Sequence, residues 1–345
     1  MVLVNFKVVM GADDGDPGWL RFLSGLLDGR AAAAFVILAG IGASLMTARA
    51  REEGDGAGLD TARTVLLKRA LFLLIAGYLF VPIWPADILH YYAFYIGIGA
   101  LVLRVPGPAL WGLAAAAAAT FVGLYTVAEY WLELDIVRLT YAGFWTPVGL
   151  VRNLVFNGWH PVLPWVAFYL VGMWLGRRDL LDRMVRRRLL LGAVAVAVLA
   201  ELVAWRVGPI EFDVVERSSA YLGVEAGPRA LLAAEPLPPG PVYLAAAGGT
   251  AVAVILLCVG LAARFPDARL VRWPAAAGEL AMTIYFAHVL LGMGALEAIG
   301  RLDAQTLPFA TISALVFSAA SVAFAVWWRR YRRRGPVEWL MRRLT

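Results

Sequence analysis

Apolar runs about as long as a bilayer is thick alternate with short charged connections along this chain. Stretches near the ~20 residues that cross a ~30 Å hydrocarbon core occupy 31–47, 70–84, 88–103, 107–127, 161–176, 189–206, 242–262, 276–298 and 307–328. Residues 1–10 form half of such a run with Lys7 inside it, so the natural protein is expected to start upstream. The chain has to turn around Trp84, Pro85, Ala86 and Asp87, which predicts a tight helical hairpin. No soluble domain or internal repeat stands out. The expected fold class is all-α: a polytopic membrane helix bundle of about ten transmembrane helices, a single domain over 1–345.

Charge orients the bundle. If the basic tail 329–345 is cytoplasmic, the cytoplasmic connections hold 22 of the 31 Lys and Arg residues and the outer ones 8, Lys7 making up the rest. That bias predicts both termini inside, and the acidic outer loop with Glu211, Asp213, Glu216, Glu225 and Glu235 fits it. Hydrophobic residues make up 61% and charged residues 16% of the sequence, far from an ordinary globular balance. The net charge of +6 sits between the apolar runs, so it reads as topology and lipid contact, not nucleic-acid binding. The arginines between 177 and 188 read the same way. Cys258 is the single cysteine, which excludes an intramolecular disulfide, and the lack of Cys/His pairs at ligand spacing argues against a metal.

Polar groups at the edges of the runs carry the candidate chemistry. His90 and His160 fall in the first turns of the runs starting at 88 and 161, both on the outer side in this topology. The positive end of a helix dipole disfavours an imidazolium there, which suits a general base. Asp87, three residues before His90, lies on a neighbouring face, and Asp87 or Asp28 would fix a histidine's tautomer. A structural reading stands beside each. His160 followed by Pro161 makes a reasonable helix start, Trp159 and Trp165 suit an aromatic interface belt, as do Tyr91 and Tyr92, and both aspartates suit N-caps. His288, within AGELAMTIYFAHVLLGMG, lies near mid-membrane with Ala281, Tyr285, Gly292 and Ala295 on its face. It reads either as interhelical glue bonded to Tyr285 or a carbonyl or as a polar cavity residue. Glu201 is the other intramembrane ionisable group.

Several stretches together resemble a known family: MVLVNF, GRAAAAFVILAGIGASL (29–45), ADILHYYAFYIGIGAL (86–101), NGWHPVLPWVAFYLVGMWLGR (157–177), GELAMTIYFAHVLLG (278–292) and GPVEWLMRRLT (335–345). They are similar to the bacterial YeiB-type membrane proteins, which resemble the transmembrane heparan-alpha-glucosaminide N-acetyltransferases and, more distantly, the family-three membrane acyltransferases. The resemblance implies an enzyme of the bacterial cytoplasmic (inner) membrane. It would move an acetyl-type acyl group from acyl-CoA to an extracytoplasmic sugar, glycan or lipid headgroup, with membrane lipids around it and a homo-oligomer left open. The family's acidic and Arg-Gly motif would precede Val4 and Asn5, and the place of its outer-loop histidine is held here by Trp19, so the base has to come from elsewhere. His160 is the preferred base and His90 with Asp87 the second choice. Arg30 would stabilise the thioester oxygen or bind a phosphate, and Asp28, Asn157, His288 and Tyr285 would line the substrate site. A proton-coupled transporter or flippase using Glu201 and His288 is the rival from another class, and a non-catalytic membrane partner protein is a third.

Overall fold

The structure, a computed structural model, describes the whole chain except residues 12–16, 129–130, 136–138, 209–212, 219–220 and 226, so Glu211 of the expected acidic loop lies outside the described residues. The helices are α1 (Val2–Met10), α2 (Gly18–Gly25), α3 (Arg30–Met46), α4 (Ala48–Glu52), α5 (Gly56–Phe80), α6 (Leu89–Leu101), α7 (Gly107–Val127), α8 (Pro147–Arg152), α9 (Val162–Leu175), α10 (Arg183–Val207), α11 (Pro241–Arg264), α12 (Arg269–Gly278), α13 (Ala281–Ala287), α14 (Gly294–Ala298), α15 (Leu307–Trp328) and α16 (Pro336–Leu344). Two π-helical turns join them, Asn153–Asn157 after α8 and His288–Met293 after α13. Four short strands, β1 (Trp131–Asp135), β2 (Thr140–Tyr141), β3 (Asp213–Ser218) and β4 (Tyr221–Glu225), pair antiparallel in the order β2-β1-β4-β3. The helical class is the expected one. The sheet is an addition: two connecting segments satisfy their backbone groups on each other, which a search for long apolar runs cannot register.

Among the described residues six segments are long and apolar enough to cross a membrane: Gly18–Met46, Gly107–Val127, Arg183–Val207, Pro241–Arg264, Ala281–Ala298 and Leu307–Trp328. A seventh is the pair Pro147–Asn157 and Val162–Leu175, bent by 49°. Of the other expected spans, α1 has 9 residues and α6 has 13, and at ~1.5 Å per residue neither reaches across the core as a straight helix. In α5 the charges of Arg63, Lys68 and Arg69 precede the apolar half.

The chain forms two compact units, residues 32–257 and residues 1–31 with 258–345. In the first, α9 is the centre, with eleven of its fourteen residues buried. It touches α3 backbone to backbone. A side chain at Gly172 would collide with the Ile37 carbonyl, one at Gly40 with the Tyr169 carbonyl, and one at Gly176 with the Ile41 carbonyl. Ser44 Oγ donates to the Met173 carbonyl at 2.6 Å across the same seam. Small residues four apart let helices approach to this distance, where close packing and interhelical hydrogen bonds replace the hydrophobic drive that lipid does not supply. Gly99 of α6 likewise leaves room for the Tyr169 ring. By contrast α10 buries only Ala197 and Ala200 and exposes its apolar surface, as a lipid-facing helix does.

In the second unit, Phe6 of α1 and Phe317 of α15 pack at 6.3 Å, and both press on Gly292. The expected run 276–298 is broken at Glu279 and Leu280, where a new helix starts. The break is stabilised from a distance. Glu338 of α16 accepts from Met282 N at 2.7 Å, from Thr283 N at 3.0 Å and from Thr283 Oγ1, while Thr283 Oγ1 accepts from Val337 N. A carboxylate at the first turn satisfies amides that have no partner within the helix.

The α3–α9 seam can be tested by filling it. Gly172→Leu should abolish the monodisperse species in detergent, because the new side chain meets backbone that cannot rotate away, whereas Gly192→Leu on α10, facing open space, should elute and melt like the parent protein.

Candidate active site

The turn between α5 and α6 builds the candidate site at one end of the first unit. Asp87 is fully buried, and its Oδ2 accepts from Leu89 N at 2.8 Å and His90 N at 3.3 Å, capping the first turn of α6. The same oxygen lies 3.1 Å from His90 Nδ1. A carboxylate there assigns the ring proton to Nδ1 and leaves Nε2 as the acceptor. Gly77 of α5 makes the turn possible, since a Cβ at that position would strike His90 N and crowd Asp87 Oδ2. Tyr78 stacks on the imidazole at 5.1 Å, with Tyr91 at 4.0 Å beside it. His90 is 1% exposed, and among the described residues its Nε2 has no hydrogen-bond partner.

The neighbouring residues come from the bent segment. Tyr91 Oη donates to Asn153 Oδ1 at 2.6 Å, which turns the Asn153 Nδ2 group outwards as a donor, also without a described partner. Asn153 opens the π-helical turn that ends at Asn157, and both are buried. Gly158 follows because a side chain there would collide with the Asn153 carbonyl and with Tyr91 Oη. His160 sits at the bend before Pro161, half-buried. Its carbonyl accepts from Tyr95 Oη at 2.6 Å, its ring meets Trp165 edge-on at 4.6 Å and Tyr91 at 5.8 Å, and its Nδ1 lacks a described partner. Tyr141 Oη and Trp159 Nε1, in rings 6.2 Å apart, add two more orphaned polar atoms. Buried polar atoms are nearly always satisfied, so His90 Nε2, Asn153 Nδ2, His160 Nδ1, Tyr141 Oη and Trp159 Nε1 make this region the candidate site.

Next to this group lies a cavity of about 450 Å³, lined by Tyr141, Phe144, Trp145, Pro82 and Pro85 among others. Phe144 is shared: it lines the cavity and meets the His90 ring edge-on at 6.4 Å. Trp145 packs against Phe144 at 4.9 Å and is 60% exposed. A cavity of this kind, apolar with a few convergent polar groups nearby, is the ordinary form of a small-molecule site.

Of the expected residues, the structure brings Asp87, His90, Asn157 and His160 to one end of the first unit. Asp28, Arg30, Tyr285 and His288 belong to the second. There Asp28 Oδ2 pairs with Lys7 Nζ at 2.6 Å, Lys7 being buried, and Arg30 Nη1 donates to the Gly25 carbonyl at 3.4 Å. His288 donates through Nδ1 to the Tyr285 carbonyl, so its Nε2 accepts from Asn5 Nδ2 at 2.8 Å. Both ring nitrogens are engaged. Glu201 stands on the exposed side of α10. Sequence reasoning missed Asn153, read the buried Tyr91 as an interface anchor, and missed Asn5 as the partner of His288. The available signals were an Asn four residues before Asn157 and an Asn inside an apolar half-run.

With several membrane-length helices and a buried carboxylate–imidazole pair beside an aromatic cavity, the chain has the make-up of a multi-pass membrane protein. Residues 16–207, more than half of the chain, match the family described as heparan-alpha-glucosaminide N-acetyltransferase, catalytic, and the chain belongs to that acetyltransferase-like membrane family. Residues 240–345 match a second family, described as a protein of unknown function, DUF418. No curated protein and no solved structure matches the chain.

The Tyr91–Asn153 bond is open to a double-mutant cycle. Tyr91→Phe strands a buried acceptor and should cost ~1–3 kcal/mol of stability. In the Tyr91→Phe, Asn153→Leu protein neither polar group remains, and the melting temperature should recover above the sum of the single effects. Additive losses would show that the two residues act independently.

Proposed function

We propose that this protein is a transmembrane acyltransferase that moves an acetyl-type group from acyl-CoA to an amine or hydroxyl of an extracytoplasmic sugar, glycan or lipid headgroup. The observation that carries this reading is the Asp87–His90 pair with its unengaged Nε2, set among other orphaned polar atoms. Family membership supports the acetyl group and an amino-sugar type of acceptor.

In this reading His90, not His160, is the base, because among the described residues His90 is the histidine with a buried carboxylate on its far nitrogen. Its Nε2 takes the proton from the acceptor as the acceptor's nitrogen or oxygen attacks the thioester carbonyl carbon. The carbon–sulfur bond then breaks, and the departing thiolate recovers the proton from the imidazolium. Asp87 keeps Nδ1 protonated and offsets the transient positive charge. Asn153 Nδ2 donates to the carbonyl oxygen as negative charge builds on it. The cavity walled by Phe144 and Trp145 holds the acceptor's ring. His160 and Asn157 shape the same end of the site. The Lys7–Asp28 and Asn5–His288 pairs hold the other unit together.

His90→Ala and His90→Asn should each lower acyl transfer per folded molecule by ~10²-fold or more, with acyl-CoA binding nearly unchanged. Asp87→Asn should lower kcat with little change in KM, and Asn153→Leu should cost ~10²- to 10³-fold. An active His90→Asn protein together with an inactive His160→Ala protein would move the base to His160.

We further propose the ten-helix arrangement in a bacterial cytoplasmic membrane, both termini inside, on the distribution of basic residues. In a Cys258→Ser background, Ser218→Cys should label from outside intact cells and Arg332→Cys only after permeabilisation. Labelling of both from one side would end that topology.

A further inference from the structure

A second cavity, independent of the acyl-transfer reading, lies in the other unit, where α12 packs against the end of α15. It measures about 670 Å³, and its walls include Arg269, Arg272, Arg329, Arg330, Trp273 and Asp267. Four arginines and one carboxylate thus line the space, with Glu279 beside it. Arg329 Nε is engaged by Glu279 at 3.1 Å, and Arg269 lies 6.0 Å from the centre of the Trp273 ring. Arg272 and Arg330 have no acidic partner among the described residues. Arg272 and Arg330 are exposed and, among the described residues, carry no counter-charge, so an anion that enters between them meets two available cations. Guanidinium forks match the oxygens of a phosphate in two parallel hydrogen bonds and suit it better than a point charge would. The space exceeds what a bare phosphate fills, and Trp273, Ala275, Ala276 and Val326 give it an apolar side.

We propose that this cavity binds a phosphate ester whose remaining part is apolar or planar, with Arg272 and Arg330 as its principal ligands. Two sources carry that chemistry: the headgroup of an anionic membrane phospholipid, and the phosphates of a soluble nucleotide. A lipid would lay its chains along the exposed Leu270 and Trp327, whereas a nucleotide would stack its base on Trp273.

The test uses the full chain in a zwitterionic detergent. Native mass spectrometry would follow added phosphatidylglycerol against phosphatidylcholine, and calorimetry would follow adenosine 3′,5′-bisphosphate. The double variant Arg272→Gln, Arg330→Gln should bind the preferred phosphate ester at least tenfold more weakly. Arg301→Gln, outside the cavity, should bind as the parent does. Retention of phosphatidylglycerol alone assigns a lipid, and retention of the bisphosphate alone assigns a nucleotide. Equal binding of phosphatidylglycerol and phosphatidylcholine with no bisphosphate binding overturns the proposal, as does undiminished binding by a double variant that elutes and melts normally. Because binding is read directly, loss of acyl transfer in a His90 variant leaves this result untouched.

Discussion

A single carboxylate oxygen with no access to water organises the candidate site. Asp87 Oδ2 receives two backbone amides of α6 and lies against the imidazole of His90. Burying an ion is costly unless donors surround it, and here the donors are the start of a helix and the side chain of the proposed base. Helix start and histidine orientation are therefore fixed by one group. The stacked Tyr78 and the missing side chain at Gly77 keep the pair in place. His90 cannot swing away without uncovering the charge that caps its own helix.

The same economy of space recurs wherever helices meet. In an apolar solvent two helices gain little from hiding apolar surface, so contact between backbones has to supply the attraction. The seam of Gly40, Gly172 and Gly176 with the Ser44–Met173 hydrogen bond does this for α3 and α9. Because α9 is held from several sides, the bend before it at Gly158–Pro161 has a rigid base. The Tyr95 bond to the His160 carbonyl pins that bend to α6.

Local spacing made part of this legible in the sequence. Three residues separate Asp87 from His90, and a helix starting between them brings their side chains together. The turn at Trp84–Asp87 followed from two apolar runs lying too close for anything longer. Other features depend on residues far apart in the chain. Tyr91 and Asn153 are 62 positions apart and Asn5 and His288 are 283 apart, so no periodicity reports either pair. The π-helical turn from His288 to Met293 also shifts the facing of the residues that follow. Gly292, expected on the face of His288, lies against Phe6 and Phe317, and His288 itself bonds to Asn5, next to Phe6 on α1. Preference between His160 and His90 turned on burial and on the position of a carboxylate, and sequence gave both histidines the same first-turn address.

The clamp formed by Glu338 has a bearing on biosynthesis. Met282 precedes its partner by 56 positions, so while the chain is being made, the leading amides of α13 are without the carboxylate that caps them. They remain so until α15 and the turn at Gly335 have been synthesised. The helix that leads into His288 is thus completed late, by residues added after it, and its final packing waits on translation of the segment that follows α15.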